Sequence, residues 1–191
     1  MKKNLLYFFA GLTVLIGVNS CKENIYQAEV AALDSLVVVL ENAEKSMMAI
    51  DSVETDKAYT EIISNLKLIQ SELKDTVTRE DAFLLSDYRE IRKTLGRFNE
   101  VKNKLKSEVP FTREQLSNLS KDLKKGLVPE DKVKEYYMVE FTEAVKLQQE
   151  IESMVASVTN SLNKYNRLKP EVDHFIARMQ ENNLKKMSEK E

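Results

Sequence analysis

The chain has 191 residues, of which 31% are charged and 42% hydrophobic, and its formal net charge is −2 at pH 7. It contains only four glycines, three prolines, one cysteine and one histidine. So few turn-forming residues argue against β-sandwiches, β-barrels and glycine-looped nucleotide-binding folds. A single Cys and a single His also argue against a disulfide framework and a Cys/His zinc site.

Residues 1–20 have the pattern of a signal peptide. Two lysines precede an uncharged apolar stretch of fourteen residues, Leu5 to Val18. This stretch is shorter than the about 20 residues that span a bilayer, but it has the length of a signal-peptide core. Removal of residues 1–20 takes away both lysines and no acid, which changes the net charge from −2 to −4.

The end of this segment, Val18-Asn19-Ser20-Cys21, resembles the lipobox of bacterial lipoproteins. The resemblance implies that Cys21 is acylated, that the signal is cleaved before it, and that residues 21–24 are the lipidated Cys and a short tether. Two or three acyl chains hold a protein stably on a membrane. The expected location is the cell envelope, at the outer membrane, on its periplasmic face or at the surface. The alternative is a plain secretory signal with an incidental Cys.

The rest of the chain is predicted to form one helical domain over residues 25–187, with a frayed tail at 188–191. Apolar residues recur every three or four positions in a first helix over 25–50, which places them on one face. Asp51 and Thr78 each precede a carboxylate by three residues, the pattern of a helix N-cap. They predict the starts of the second and third helices.

Prolines divide the second half of the pattern. Val109-Pro110 is predicted to end the third helix, because the residue before proline is pushed out of the α region. A short helix then follows from Thr112 to Gly126, and the longest helix begins at Pro129. Pro170 either kinks that helix or separates two helices. The fold class is therefore an elongated antiparallel all-α bundle of five or six helices.

Charge is distributed unevenly along the chain. Residues 22–77 carry a net charge of −6 and residues 78–126 a net charge of +4. The third helix contains a candidate basic face for an anionic partner, formed by Arg89, Arg92, Lys93 and Arg97. The alternative is a solvated face that complements an acidic hairpin formed by the first two helices. Nucleic acid is not an expected partner in this compartment and at this net charge.

No constellation of catalytic residues is apparent. Glu171 and His174 have the spacing of half a carboxylate-bridged di-iron site, which needs a second histidine that the chain lacks. We therefore predict no catalytic residue, metal or cofactor. A contrary hypothesis, an enzyme or metal carrier, predicts polar groups converging in a pocket around His174.

Two segments 34 residues apart begin alike, at Thr78-Arg-Glu-Asp81 and at Thr112-Arg-Glu-Gln115. The stretch from Phe111 to Gln115 resembles the Leu-Thr-x-x-Gln motif of the Spy/CpxP type of periplasmic helical chaperones and stress regulators. That resemblance implies chaperone or envelope-stress activity. Helix capping alone also selects Thr-x-x-Asp/Gln.

Asp-Ser/Thr-aliphatic triplets occur three times and resemble the acceptor of Bacteroidota O-glycosylation. Two of them fall at predicted helix boundaries and make Ser52 and Thr76 candidate glycosylation sites, whereas Asp34 lies within a helix, where ordinary helical sequence explains the triplet equally well. The overall expectation is a lipid-anchored, non-enzymatic interaction or scaffold protein with an envelope protein partner.

Overall fold

The computed structural model describes residues 25–73 and 76–188. Within those ranges the chain is helical and contains no β-strand, which confirms the predicted all-α class. The predicted signal peptide and tether, residues 1–24, lie outside the described residues. The described chain forms four helices: α1 (Gln27–Met48), α2 (Ser52–Glu72), α3 (Arg79–Lys125) and α4 (Glu130–Ser188).

The four helices make three rods. α1 and α2 each pack against α3 and α4 but share no helix-to-helix contact, so they stand end to end as one interrupted rod. The expected hairpin of the first two helices is therefore wrong, because their apolar faces are covered by the long helices. Lys124 near the end of α3 bonds Asp34 of α1, and therefore α3 runs antiparallel to this rod. Asn183 near the end of α4 donates to the carbonyl of Glu72 at the end of α2, and therefore α4 runs parallel to it.

The core follows the predicted apolar stripes. In each helix most successive buried residues are three or four positions apart, which is the spacing of one helix face. Full burial of a Leu or Ile side chain contributes about 1.5–3 kcal/mol relative to exposure. The largest side chains that are almost completely buried include Leu33, Leu40, Ile62, Tyr88, Ile91, Leu95, Phe98, Leu116 and Ile151.

Three predicted helix ends are confirmed in detail. The carboxylate of Asp51 accepts hydrogen bonds from the N–H groups of Val53 and Glu54, at 2.8 and 3.1 Å. The hydroxyl of Thr78 accepts from the N–H of Asp81 at 3.1 Å. Gly126 ends α3 with a φ of 64°, in the left-handed region that favours glycine.

The number of helices was predicted wrongly, because Pro110 does not end a helix. α3 continues through it to Lys125, so the separate short helix from Thr112 does not exist. Val109 and Leu116 are fully buried on the stripe that continues in phase across the proline. Proline within a helix costs about 3 kcal/mol, and burial of these side chains offsets that cost. The Pro110 ring is exposed to solvent.

The same reasoning applies to Pro170, for which the sequence left two possibilities open. α4 is one helix through this position. Val172 is fully buried and Leu168 is 7% exposed, so the stripe again continues in phase. At 1.5 Å per residue, the 59 residues of α4 correspond to about 88 Å. None of the helices described between residues 25 and 188 is both long and apolar enough to cross a membrane.

Candidate functional site

The basic face that the sequence predicted lies on the solvent side of α3. Arg89, Lys93 and Arg97 follow one another at steps of four, so they share one side of the helix. Arg92 adjoins them. All four side chains are exposed, and none forms an ion pair with another residue in the described ranges.

The second half of α3 behaves differently. Arg113 pairs with Glu44 at 3.3 Å and with Glu41 at 3.7 Å, both on α1. Lys124 pairs with Asp34 of α1 at 2.8 Å. The predicted complementarity between the acidic N-terminal helices and basic α3 therefore exists at these two positions. It does not extend to the four residues of the basic face.

Asp34 shows the electrostatic consequence of this pairing. The hydrogen bonds from Lys124 and then from the Ser120 hydroxyl, at 2.8 and 2.6 Å, lower the pKa of the Asp34 carboxyl. Ser120 is buried, so its hydroxyl contact with Asp34 also satisfies a buried polar group.

A polar network that the sequence did not reveal crosses all three rods near α2. The Asn65 amide donates to the Tyr88 hydroxyl at 3.2 Å, and the rings of Tyr88 and Tyr165 stack with centroids 6.3 Å apart. The Tyr165 hydroxyl bonds Glu61, and Lys169 forms an ion pair with the same carboxylate. The network therefore links α2 to both long helices.

The network raises the pKa values of Tyr88, Tyr165 and Lys169. Burial, and then the hydrogen bond to Glu61, raise the pKa of the Tyr165 hydroxyl above its ordinary value of 10.0. Burial likewise raises the pKa of Tyr88. The hydrogen bond to Glu61 raises the pKa of Lys169. Because the hydroxyls of Tyr88 and Tyr165 and the ammonium of Lys169 all have partners on another helix, we interpret the network as a device that fixes helix register.

His174 and Glu171 are exposed on α4. They line a shallow groove of about 410 Å³ together with Glu80, Asp81, Leu84, Pro170, Phe175 and Arg178. Asp81 is already bonded by Arg178 at 2.7 Å. In the part of the chain that the structure describes, no cluster of three His, Cys, Asp or Glu side chains is arranged to hold a metal ion.

The candidate glycosylation residues are both accessible. Ser52 is the first residue of α2 and is exposed, and Thr76 is exposed in the connection to α3. Asp51, beside Ser52, has its carboxylate engaged as the helix cap. Asp34 lies within α1 and is paired. Cys21, the predicted lipid attachment site, lies outside the described residues.

The two copies of the repeated motif occupy different settings. Thr78 is the N-cap of α3, as capping predicts. Thr112 lies inside the same helix, and Phe111 before it is 61% exposed. Helix capping therefore accounts for the first copy and not for the second.

No protein-family model, curated protein or solved structure matches this chain.

Proposed function

We propose that the protein is a lipid-anchored interaction module of the bacterial cell envelope, held at the outer membrane by acylated Cys21, with no enzymatic activity. The support for the anchor is the sequence from Leu5 to Cys21, in which an apolar core of signal-peptide length leads into a lipobox-like tetrapeptide. The long helical bundle offers an extended surface for a partner.

The basic face on α3 is the proposed contact surface for an acidic protein partner. Elsewhere on this helix, Arg113 and Lys124 are neutralised by α1. Arg89, Lys93 and Arg97 have no such neighbour and remain exposed. Unpaired charges of one sign attract an oppositely charged surface and speed encounter with it. This unneutralised row is the observation that carries the proposed interaction.

The anchor is tested with a Cys21→Ser variant of the full chain. We expect the wild-type protein to fractionate with membranes and to gain the mass of its acyl chains, and the variant to lose both properties. A variant that remains membrane-bound and acyl-labelled contradicts the anchor.

The contact surface is tested by photo-crosslinking in cells from a reactive residue placed at Ser86, one turn before Arg89 on the exposed side of α3. The triple reversal Arg89→Glu, Lys93→Glu, Arg97→Glu is expected to abolish the crosslinked product. The matched control, Lys67→Glu, Lys121→Glu, Arg167→Glu, changes the net charge equally at exposed positions on three helices. Equal loss of the product in both variants contradicts a specific basic face.

A second candidate function is a chaperone or envelope-stress sensor of the Spy/CpxP type. The observation in its favour is that the segment from Phe111 to Gln115 lies within α3, where capping does not explain it. The test is light scattering by an aggregating client in the presence of the purified protein. Suppression that Phe111→Ser weakens supports this function, and no suppression at equimolar protein contradicts it.

A further inference from the structure

One end of the bundle carries a concentration of exposed apolar side chains. Ile25 is 75% exposed and Leu127, in the α3–α4 connection, is 65% exposed. Tyr136, Met138 and Val139, early in α4, are 45%, 49% and 55% exposed. We call these five residues the apolar end. Large exposed apolar patches on soluble proteins mark protein or membrane interaction sites.

The helix arrangement places these residues at the same end. The pair Lys124–Asp34 sets the end of α3 beside the beginning of α1, and Leu127 follows α3 directly. Ile50 and Leu162 line one groove between the interrupted rod and α4. The rod and α4 run parallel, so residues that lie equally many positions before Ile50 and before Leu162 are at the same level of the bundle. Ile25 and Tyr137 are such a pair, and both therefore lie at this end.

We propose that the apolar end docks on the bilayer to which the chain is anchored, with Leu127, Tyr136 and Val139 entering the headgroup–acyl boundary. The inference rests on the proposed acylation of Cys21. Only residues 22–24 separate that Cys from Ile25. Because a residue spans at most about 3.5 Å, Ile25 lies within about 14 Å of the acylated residue.

The chemistry of this end fits a membrane interface. Tyrosine is favoured at the headgroup level because its ring is apolar and its hydroxyl is polar. Lysines at this end, such as Lys125 and Lys134, have stems long enough to lie along the boundary while their charges stay in water. Glu130, Asp131 and Glu135 nearly balance the local lysines. Docking is therefore driven by apolar burial and does not require anionic lipid.

The chain contains no tryptophan, so a single introduced Trp reports its own position. The experiment uses the acylated full-length protein, reconstituted in phosphatidylcholine vesicles that contain acyl-chain-brominated phosphatidylcholine. Val139→Trp and Leu127→Trp place the reporter in the apolar end. Phe83→Trp is the control, because Phe83 is 61% exposed near the opposite end of α3. All three positions are exposed, and circular dichroism checks that the helix content is unchanged.

We expect brominated lipid to quench much of the fluorescence of the Val139→Trp and Leu127→Trp proteins, because side chains that lie about 5–10 Å into the headgroup–acyl boundary come close to brominated acyl chains. The Phe83→Trp protein should be unquenched. If the protein is acylated and vesicle-bound but all three reporters are equally unquenched, docking is overturned and the anchor stands. If mass spectrometry finds no acyl chain on Cys21, the anchor and the docking both fail.

The same experiment distinguishes docking on lipid from association of two copies of the chain through the apolar end. In that case the Val139→Trp emission shifts to shorter wavelength as protein concentration rises without vesicles, and brominated lipid does not quench it. That outcome overturns docking on lipid.

Discussion

The two halves of the bundle are held together by different chemistry. In the half built around α1, all six buried residues of α1 are apolar, and its polar contacts with α3 are ion pairs at the rim and one hydrogen bond from the Ser120 hydroxyl to Asp34. In the half built around α2, Thr55 is buried and the stacked Tyr88 and Tyr165 carry hydrogen bonds into the interior. Apolar contacts are non-directional, whereas a hydrogen bond specifies its partner. We infer that the α1 half contributes mainly stability and the α2 half mainly register.

The α2 half also contains a close approach of a side chain to a long helix. A Cβ added to Gly96 of α3 would lie 3.1 Å from the ring of Tyr59 of α2. Glycine within a helix costs up to about 1 kcal/mol relative to alanine, so its presence here is explained by the space that the tyrosine needs. This contact, like the hydrogen bonds, fits only one register.

The largest expected effect is in the apolar half. Leu40 of α1 is fully buried, and Leu40→Ala should lower the free energy of unfolding by about 2–5 kcal/mol, because the cavity adds to the lost burial. Urea denaturation followed by circular dichroism measures it. Val38→Ala is the matched control, since Val38 is 55% exposed on the same helix. If both variants lose the same small amount, the α1 half is not tightly packed.

The second largest effect is expected in the α2 half, where the free energy of unfolding should depend on alkaline pH. The pKa of Tyr165 is raised in the folded protein above its ordinary value of 10.0. Its contribution is therefore complete below pH 10 and is lost as the pH rises further, because the unfolded chain ionises first. The raised pKa of Lys169 acts in the same direction above 10.5.

Tyr165→Phe should therefore weaken the alkaline loss of stability. At neutral pH the substitution should cost about 0.5–1.5 kcal/mol for the hydrogen bond. As the pH rises above about 10, its urea midpoint should fall less than that of the wild type. Tyr136→Phe, at a position 45% exposed, is the control and should follow the wild type. Identical alkaline slopes for Tyr165→Phe and wild type would show that this hydroxyl ionises normally.

The smallest effect is expected at the rim of the α1 half. Asp34→Asn removes the charge that Lys124 neutralises, and such partly exposed pairs contribute at most about 1 kcal/mol. The pKa of Asp34 is lowered from 3.8, so the contribution is present above that pH and disappears as the pH falls below it. Wild type and variant should therefore converge in acid and in high salt. A difference that persists under both conditions would locate the effect in the Ser120 hydrogen bond instead.

The sequence predicted local features well because they depend on neighbouring residues. The caps at Asp51 and Thr78 and the left-handed Gly126 involve atoms within a few positions of each other. The rule that proline ends a helix is also local. At Pro110 and Pro170 it does not hold, because burial of the residues on either side stabilises the continuous helix. That burial depends on the packing of distant segments.

The surface and network residues also separate into those that local spacing predicts and those that depend on contacts between distant segments. The spacing of Arg89, Lys93 and Arg97 was sufficient to predict a shared face. Whether a basic residue on α3 is neutralised depends on which part of α1 lies opposite, as Arg113 shows. The network around Glu61 joins residues more than a hundred positions apart, such as Glu61 and Lys169. No single-helix pattern indicates that these two side chains meet.

The interrupted rod has a consequence for how the protein is made. α1 and α2 do not touch each other, and the surfaces that cover their apolar faces belong to α3 and α4. Short isolated helices are only marginally stable in water. A growing chain that ends before Thr78 therefore has no partner for either helix and stays unfolded until the long helices follow. For a chain exported as its first residues predict, this delay keeps the leading segment able to pass a translocation channel.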